Sequence, residues 1–131
     1  MSTYTPVLRS AAAYFGIVFA AGFALGTLRT LFLAPRFGEL WAVLLELPIM
    51  LAISWWACGK VVTRFRVPPR IAPRAAIGVI AFALLMLAEI VLSLGLFARS
   101  MSDYAADLTT PHGLVGLGGQ VAFALMPLVR R

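Results

Sequence analysis

The sequence predicts an all-α integral membrane protein: a single domain, residues 1–131, built as a bundle of four transmembrane helices. Composition is the first reason, because 62% of the residues are hydrophobic and only 12% are charged. The second reason is the pattern, since apolar runs cover residues 10–34, 40–62, 75–98 and 113–129. About 20 helical residues cross ~30 Å of hydrocarbon. Each run is therefore long enough, or nearly long enough, to form one span.

The distribution of basic residues is the third reason, and it predicts the orientation. Most of the 11 Lys and Arg residues fall on the side that holds both termini and the link between spans two and three: Arg9, Lys60, Arg64, Arg66, Arg70, Arg74, Arg130 and Arg131. The other side has Arg36 and Arg99, with Arg29 just inside the membrane. Basic loops stay in the cytoplasm, so we expect both termini to be cytoplasmic. The predominance of Arg over Lys favours a bacterial inner membrane.

Span one, residues 10–34, carries a stripe of small residues that leads to a charge. The run is longer than the ~7–15 apolar residues of a signal peptide, so we expect it to be retained. Gly22, Gly26 and Arg29 are spaced i, i+4, i+7 and share one helix face. Small residues four apart let another helix come close, which predicts that Arg29 points into the bundle. The alternative is that Arg29 snorkels to the outer headgroups.

The links between the spans have distinct predicted structures. Residues 34–38 contain a proline and a glycine and are expected to form a tight turn. Residues 63–74 contain three prolines, which predicts an extended basic strap on the cytoplasmic surface. The outer link, residues 99–112, is the longest stretch that is not apolar. Residues 102–107 within it are expected to form a short interfacial helix.

The other spans each carry a polar residue within their apolar sequence. In span two, Glu46 precedes Pro48, and a proline in a helix frees a backbone carbonyl four residues earlier. Span three carries Glu89. Span four is short and rich in glycine, and its Gln120 shares a small-residue face with Gly116. All of these side chains are therefore expected to face the interior of the bundle.

These polar residues fall at similar depths when depth is counted from the outer end of each span. Arg29 lies ~7 Å from the outer end of its span, and Glu89 lies ~12 Å from its own. Glu46 and Gln120 both lie ~10 Å deep. An ionisable residue in a membrane costs several kcal/mol unless it is paired or hydrated. The sequence therefore predicts one intramembrane polar cluster.

Three functions are compatible with this cluster. The leading interpretation is an accessory or interaction membrane protein, not an enzyme, in which the cluster is a static ion-pair clamp that fixes helix order. The alternative is a small proton-coupled transporter or channel. In that case, a proton on Glu46 or Glu89 removes the excess negative charge that two glutamates leave beside Arg29. A second alternative is a lipid-modifying enzyme that uses a glutamate with His112, and His112 is also a candidate proton relay.

Lipids are the expected partners of the cytoplasmic side, because each Lys or Arg near an anionic surface contributes about 1 kcal/mol. The predicted headgroup contacts are Lys60, Arg64, Arg66, Arg70 and Arg74. We expect no nucleic acid to bind. No cofactor or metal is expected, since one histidine and the single Cys58 cannot supply a haem or zinc ligand set. A homo-oligomer and a complex with a partner membrane protein are both compatible with the sequence.

Part of the chain resembles known membrane proteins. The sequence GTLRT at 26–30, Pro35 and the sequence ELP at 46–48 are similar to patterns in uncharacterised small four-span bacterial inner-membrane proteins. That resemblance implies the four-span fold and no particular activity. In length and number of spans the chain also resembles the small multidrug resistance transporters. Their essential glutamate lies in the first span, where this chain has Arg29, and the charge bias here is unlike that of dual-topology members.

Overall fold

A computed structural model describes residues 4–96 and 100–130, which contain α-helices and no β-strand. Within those residues the α-helices are α1 Tyr4–Leu28, α2 Ala34–Phe37, α3 Glu39–Arg64, α4 Ile71–Val91, α5 Met101–Leu108 and α6 Pro111–Val129. Two five-residue π-helical stretches, Arg29–Leu33 and Leu92–Leu96, continue α1 and α4. The all-α prediction is confirmed.

Three continuous helical stretches are long and apolar enough to cross a membrane: Thr5–Phe37, Glu39–Arg64 and Ile71–Gly95. A further apolar helical segment, Gly113–Val129, is shorter. These helices are apolar on their outer faces as well as toward the interior, as expected of helices in lipid. The exposed apolar side chains include Leu31, Trp41, Ile49, Val79 and Leu125. The chain thus has the helices of a membrane protein.

The long helices form a ring in which α1 packs against α3 and α4, and α6 packs against the same two. The short helix α5 contacts α6. Most of the buried apolar residues lie at the end of the ring where α1 begins and α3 ends. They include Val7, Ala11, Tyr14, Val18, Ala57, Cys58, Val61, Ile77, Ala81 and Phe123. The hydrophobic core is therefore concentrated in one half of the bundle.

The first turn of the chain is shorter than predicted. Residues expected to form a turn at 34–38 are helical as far as Phe37, and only Gly38 interrupts the helix, with φ of 84°. Pro35 lies within the continuous helical stretch Thr5–Phe37, where a proline removes one backbone hydrogen bond, and the π-helical stretch Arg29–Leu33 directly precedes it. Glycine adopts this φ without the strain that a side chain would add. The chain therefore reverses at a single residue between α2 and α3.

The predicted strap at 63–74 is also shorter, because helices enter it from both sides. Helix α3 continues to Arg64 and α4 begins at Ile71, so the non-helical link is residues 65–70. Pro73 is tolerated because it lies in the first turn of α4. At the outer link, α5 matches the predicted short helix. Its start is stabilised by Ser100, whose hydroxyl accepts a hydrogen bond from Asp103 N at 3.0 Å.

Helices α4 and α6 come into close backbone contact at Gly78, in the packed half of the bundle. A Cβ added to Gly78 would overlap the backbone carbonyl oxygen of Ala124. Nearby, the Tyr14 ring stacks on Phe123 at 4.3 Å, and its hydroxyl donates a hydrogen bond of 2.6 Å to the Phe123 carbonyl. Sequence reasoning expected this kind of approach at Gly22 and Gly26 instead. The structure places this contact at Gly78 of α4, whereas Gly22 and Gly26 belong to α1.

Candidate functional site: an intramembrane polar cavity

The half of the bundle away from the core contains a cavity of about 730 Å³ between α1, α3, α4 and α6. All the residues of the predicted polar cluster line it: Arg29, Glu46, Glu89 and Gln120. They come from the four different long helical segments. Arg29, Glu46 and Glu89 lie in the half of their segments opposite the hydrophobic core, and Gln120 lies midway along α6. The structure thus brings the predicted cluster to one space, and that space is not filled by protein atoms.

Arg29 pairs with the carboxylates of α3. Its Nε lies 2.9 Å from Glu46 Oε2, and its Nη1 lies 3.8 Å from Glu39 Oε2. The Arg29 side chain is 28% exposed and that of Glu46 is 15% exposed, whereas the Glu39 side chain is half exposed. The contact with Glu46 is therefore the closer and better shielded of the two. Of the two orientations that the sequence allowed, this geometry is that of an inward-facing arginine.

Glu89 and Gln120 form the second polar contact of the cavity, in which the Gln120 amide nitrogen donates a hydrogen bond to Glu89 Oε1. One buried polar atom of the cluster, Gln120 Oε1, has no hydrogen-bond partner among the described residues. Buried polar atoms are nearly always satisfied, by protein or by water. An acceptor beside the cavity is thus left with incomplete hydrogen bonding.

Glycines form part of the cavity wall. Gly22 and Gly26, predicted as a helix contact, line the cavity together with Gly116 of α6. A Cβ at Gly22 would meet only the end of Met50 at 3.4 Å, and a Cβ at Gly116 would meet nothing within 4 Å. The small-residue stripes were therefore correctly placed on the interior faces, but they border space instead of another helix backbone.

The rest of the wall is largely apolar and contains short polar side chains. Phe19, Met50, Leu85 and Phe123 line the apolar part. Ser54 and Ser93 also line the cavity. The sequence places Ser93 on the same helix stripe as Glu89, whereas sequence reasoning did not place Ser54 at the site. Single serines are ordinary in membrane helices, so the sequence held no signal for Ser54. The cavity therefore offers an apolar surface and hydrogen-bonding groups to the same occupant.

Both π-helical stretches border this cavity. One begins at Arg29 and the other begins at Leu92, three residues after Glu89, and both residues line the space. A π-helical turn widens the helix by one residue per turn and is frequent at functional sites. Apolar composition alone does not distinguish π-helical from α-helical residues, so the sequence could not predict these stretches.

Arg74 departs from the prediction of lipid contact. Its side chain is 5% exposed, and its guanidinium donates hydrogen bonds to backbone carbonyls. The acceptors are Val67, Pro68, Pro127 and Arg130. Arg74 thereby ties the α3–α4 link to the C-terminal end of α6. The other predicted headgroup residues are exposed: Lys60, Arg64, Arg66 and Arg70. His112 lies in the first turn of α6, and its side chain is outside the described part of the structure.

The described residues offer carboxylates, an amide and a guanidinium, and no three metal-binding side chains among them come together. Such a set can hold and release protons or accept hydrogen bonds from a polar solute. Comparisons of the chain with protein-family models, curated proteins and solved structures give no significant match. The class defined by fold and site is an all-α bundle with helices long and apolar enough to span a membrane and a polar cavity between them.

Proposed function

We propose that the protein is a small proton-coupled carrier or channel of a bacterial inner membrane. The single observation that carries this proposal is the cavity of about 730 Å³ that reaches Arg29, Glu46, Glu89 and Gln120. A static clamp needs its charges packed together and sealed, whereas a transport site needs space beside them. The unsatisfied Gln120 oxygen supports the proposal, because water or a solute in the cavity would complete its hydrogen bonding.

The proposed chemistry is a proton shared between the carboxylates of α3 and α4. Glu46 faces Arg29, so its negative charge is compensated. Glu89 accepts a hydrogen bond from the amide of Gln120, on the neighbouring helix α6. Uptake of one proton makes the group of three ionisable residues neutral. Release of that proton on the other side of the membrane would complete one transport step.

Proton flux into liposomes tests this function. The protein is reconstituted around a pH-sensitive dye, and a pH gradient is imposed in the absence and presence of a membrane potential. We expect flux above that of protein-free liposomes, and we expect Glu89→Gln to reduce it at least tenfold. Asp103→Asn is the matched control, because Asp103 is exposed and does not line the cavity. Flux equal to that of protein-free liposomes, with and without the potential, would refute the transport proposal.

An accessory protein with a structural clamp is the second candidate. The observation that favours it is the pairing itself, since Arg29 contacts Glu46 at 2.9 Å and Gln120 contacts Glu89. Such pairs fix which helices are neighbours, because a mispaired charge in lipid is costly. If this is the function, neutralising the cluster will impair assembly or partner binding without abolishing any flux.

The proposed topology has four spans and both termini in the cytoplasm. It is supported by the concentration of basic residues at the ends of α3, α4 and α6. Reporter fusions provide the test. A fusion after residue 131 should be active only with a cytoplasmic reporter, and one inserted near residue 109 only with a periplasmic reporter. The opposite pattern would mean that the ends taken as outer are cytoplasmic, and the depths of Arg29, Glu46, Glu89 and Gln120 would then be counted from the wrong side.

A further inference from the structure

A second pocket, of about 240 Å³, lies at the packed end of the bundle and is strongly basic. It sits between the end of α3, the α3–α4 link and the end of α6. Three arginines line it: Arg66, Arg74 and Arg130. No acidic residue is found among its described lining residues. The Asp and Glu residues of the chain all belong to segments near the opposite end: Glu39, Glu46, Glu89, Asp103 and Asp107.

Arg74 provides the fixed wall of this pocket. Its hydrogen bonds to the carbonyls of Val67 and Pro127 join the link to α6. Guanidinium groups at the carbonyl end of a helix are stabilised by the helix dipole. Arg74 is therefore held in place by the fold, and it contributes positive charge from a rigid position.

Arg130 provides the first ligand-facing group. Its Nε donates to the Trp55 carbonyl at 3.3 Å, and its guanidinium lies 5.0 Å from the centre of the Trp55 ring. The terminal nitrogens of Arg130 have no hydrogen-bond partner among the described residues. A planar guanidinium with free terminal N–H groups matches two oxygens of a phosphate. Gly59 makes this placement possible, because a Cβ at that position would lie 2.7 Å from Arg130 Cζ.

Arg66 provides the second group, from an unusual backbone position. Helix α3 ends with hydrogen bonds from Val67 N to the Val62 carbonyl at 3.0 Å and from Arg66 N to the Thr63 carbonyl at 3.3 Å. In this pattern the donor of the second hydrogen bond, here Arg66, takes the left-handed conformation, where glycine is usual. Arg66 has φ of 55° there, and its side chain is exposed. Strained residues of this kind concentrate at ligand sites.

We propose that this pocket binds one phosphate group, carried by an anionic phospholipid headgroup or free in solution. The charge, the free guanidinium donors and the strained arginine all point to an anion with several oxygens. Basic pockets between membrane helices on the cytoplasmic side are suited to lipid phosphates. The site differs from diffuse attraction to a charged surface, because it has a defined volume and includes Arg130, which sequence reasoning had not assigned to lipid. It does not depend on the proposed transport function.

Calorimetric titration of the full-length protein in an uncharged detergent tests the pocket and distinguishes the two sources. One arm uses dihexanoyl phosphatidylglycerol and the other uses inorganic phosphate. We expect saturable binding at one site per chain in at least one arm. Tighter binding of the lipid identifies a headgroup site, and equal or tighter binding of inorganic phosphate identifies a free-phosphate site. Absence of saturable binding in both arms would overturn the proposal.

Two substitutions locate the binding at this pocket. Gly59→Ala displaces the flexible end of Arg130, and we expect about fivefold weaker binding, the effect of one basic group at a lipid surface. Gly16→Ala is the matched control, because no atom lies within 4 Å of its added Cβ. Its affinity should equal that of the wild type. If Gly59→Ala and Gly16→Ala bind equally well, the pocket is not the site.

Arg66→Gly separates binding from folding. Glycine is favoured in the left-handed conformation, so the variant should unfold in detergent at the same temperature as the wild type or higher. We nevertheless expect about fivefold weaker binding, because one guanidinium is lost. This variant keeps the test decisive if Gly59→Ala fails to fold. Unchanged affinity of Arg66→Gly would contradict the proposal.

Discussion

At the packed end of the bundle Gly78 lets α4 touch the Ala124 carbonyl, whereas at the other end Gly116 has no heavy atom within 4 Å of its missing Cβ. Both glycines lie in apolar helices and both face the interior. One permits contact between two backbones, and the other leaves room for a cavity. An interior glycine in a membrane helix therefore shows which face is inside, but not whether that face is packed.

Two arginines show the same contrast. Arg74, at the packed end, is 5% exposed and satisfies its guanidinium with backbone carbonyls. Arg29, at the cavity end, pairs with a carboxylate and lines the cavity. Hydrogen bonds to fixed carbonyls make Arg74 a structural anchor. An ion pair beside a cavity instead leaves room for protons, water or a solute to take part.

The largest expected difference between the two ends comes from adding a side chain to each glycine. Gly78→Leu should destabilise the protein by about 3 kcal/mol or more, because the added atoms must displace a backbone carbonyl. Gly116→Leu should change stability by less than about 1 kcal/mol, since its side chain enters the cavity. Thermal unfolding in detergent measures both. Similar losses for the two variants would mean that the cavity end is packed as tightly as the core.

The next largest effect is expected from the charge cluster. Arg29→Leu should cost about 3 kcal/mol, because it leaves the Glu46 carboxylate without its partner. Glu46→Gln should cost less, since a neutral amide keeps the shape of the side chain. Combining Arg29→Leu with Glu46→Gln and Glu89→Gln should recover much of the loss. Thermal unfolding at neutral pH measures the series, and strictly additive losses would show that these residues are not energetically coupled.

The smallest effect concerns the core. Tyr14→Phe keeps the ring stacked on Phe123 and removes only the hydroxyl that donates to the Phe123 carbonyl. One hydrogen bond of this kind contributes about 1 kcal/mol. We therefore expect a modest fall in unfolding temperature and no change in proton flux. A loss as large as that of Gly78→Leu would indicate that the hydroxyl organises the whole packed end.

Several features of the fold and site followed from the sequence because they depend on local pattern. The all-α class followed from the apolar runs, and the common location of Arg29, Glu46, Glu89 and Gln120 followed from counting residues along helices. Helix ends were less predictable, since a proline such as Pro73 fits into the first turn of a helix. The anchor at Arg74 could not be predicted, because its acceptors belong to two distant parts of the chain.

Thiol labelling compares the two ends of the bundle most directly. The single cysteine, Cys58, is buried at the packed end, whereas Ser93 lines the cavity. A charged, membrane-impermeant maleimide should react at least tenfold faster with Ser93→Cys than with the wild-type protein, whose only thiol is Cys58, when both are in membrane vesicles. That result would show that water reaches the polar cluster. Equally slow labelling of the two proteins would show a sealed cluster and would contradict the proposed transport site.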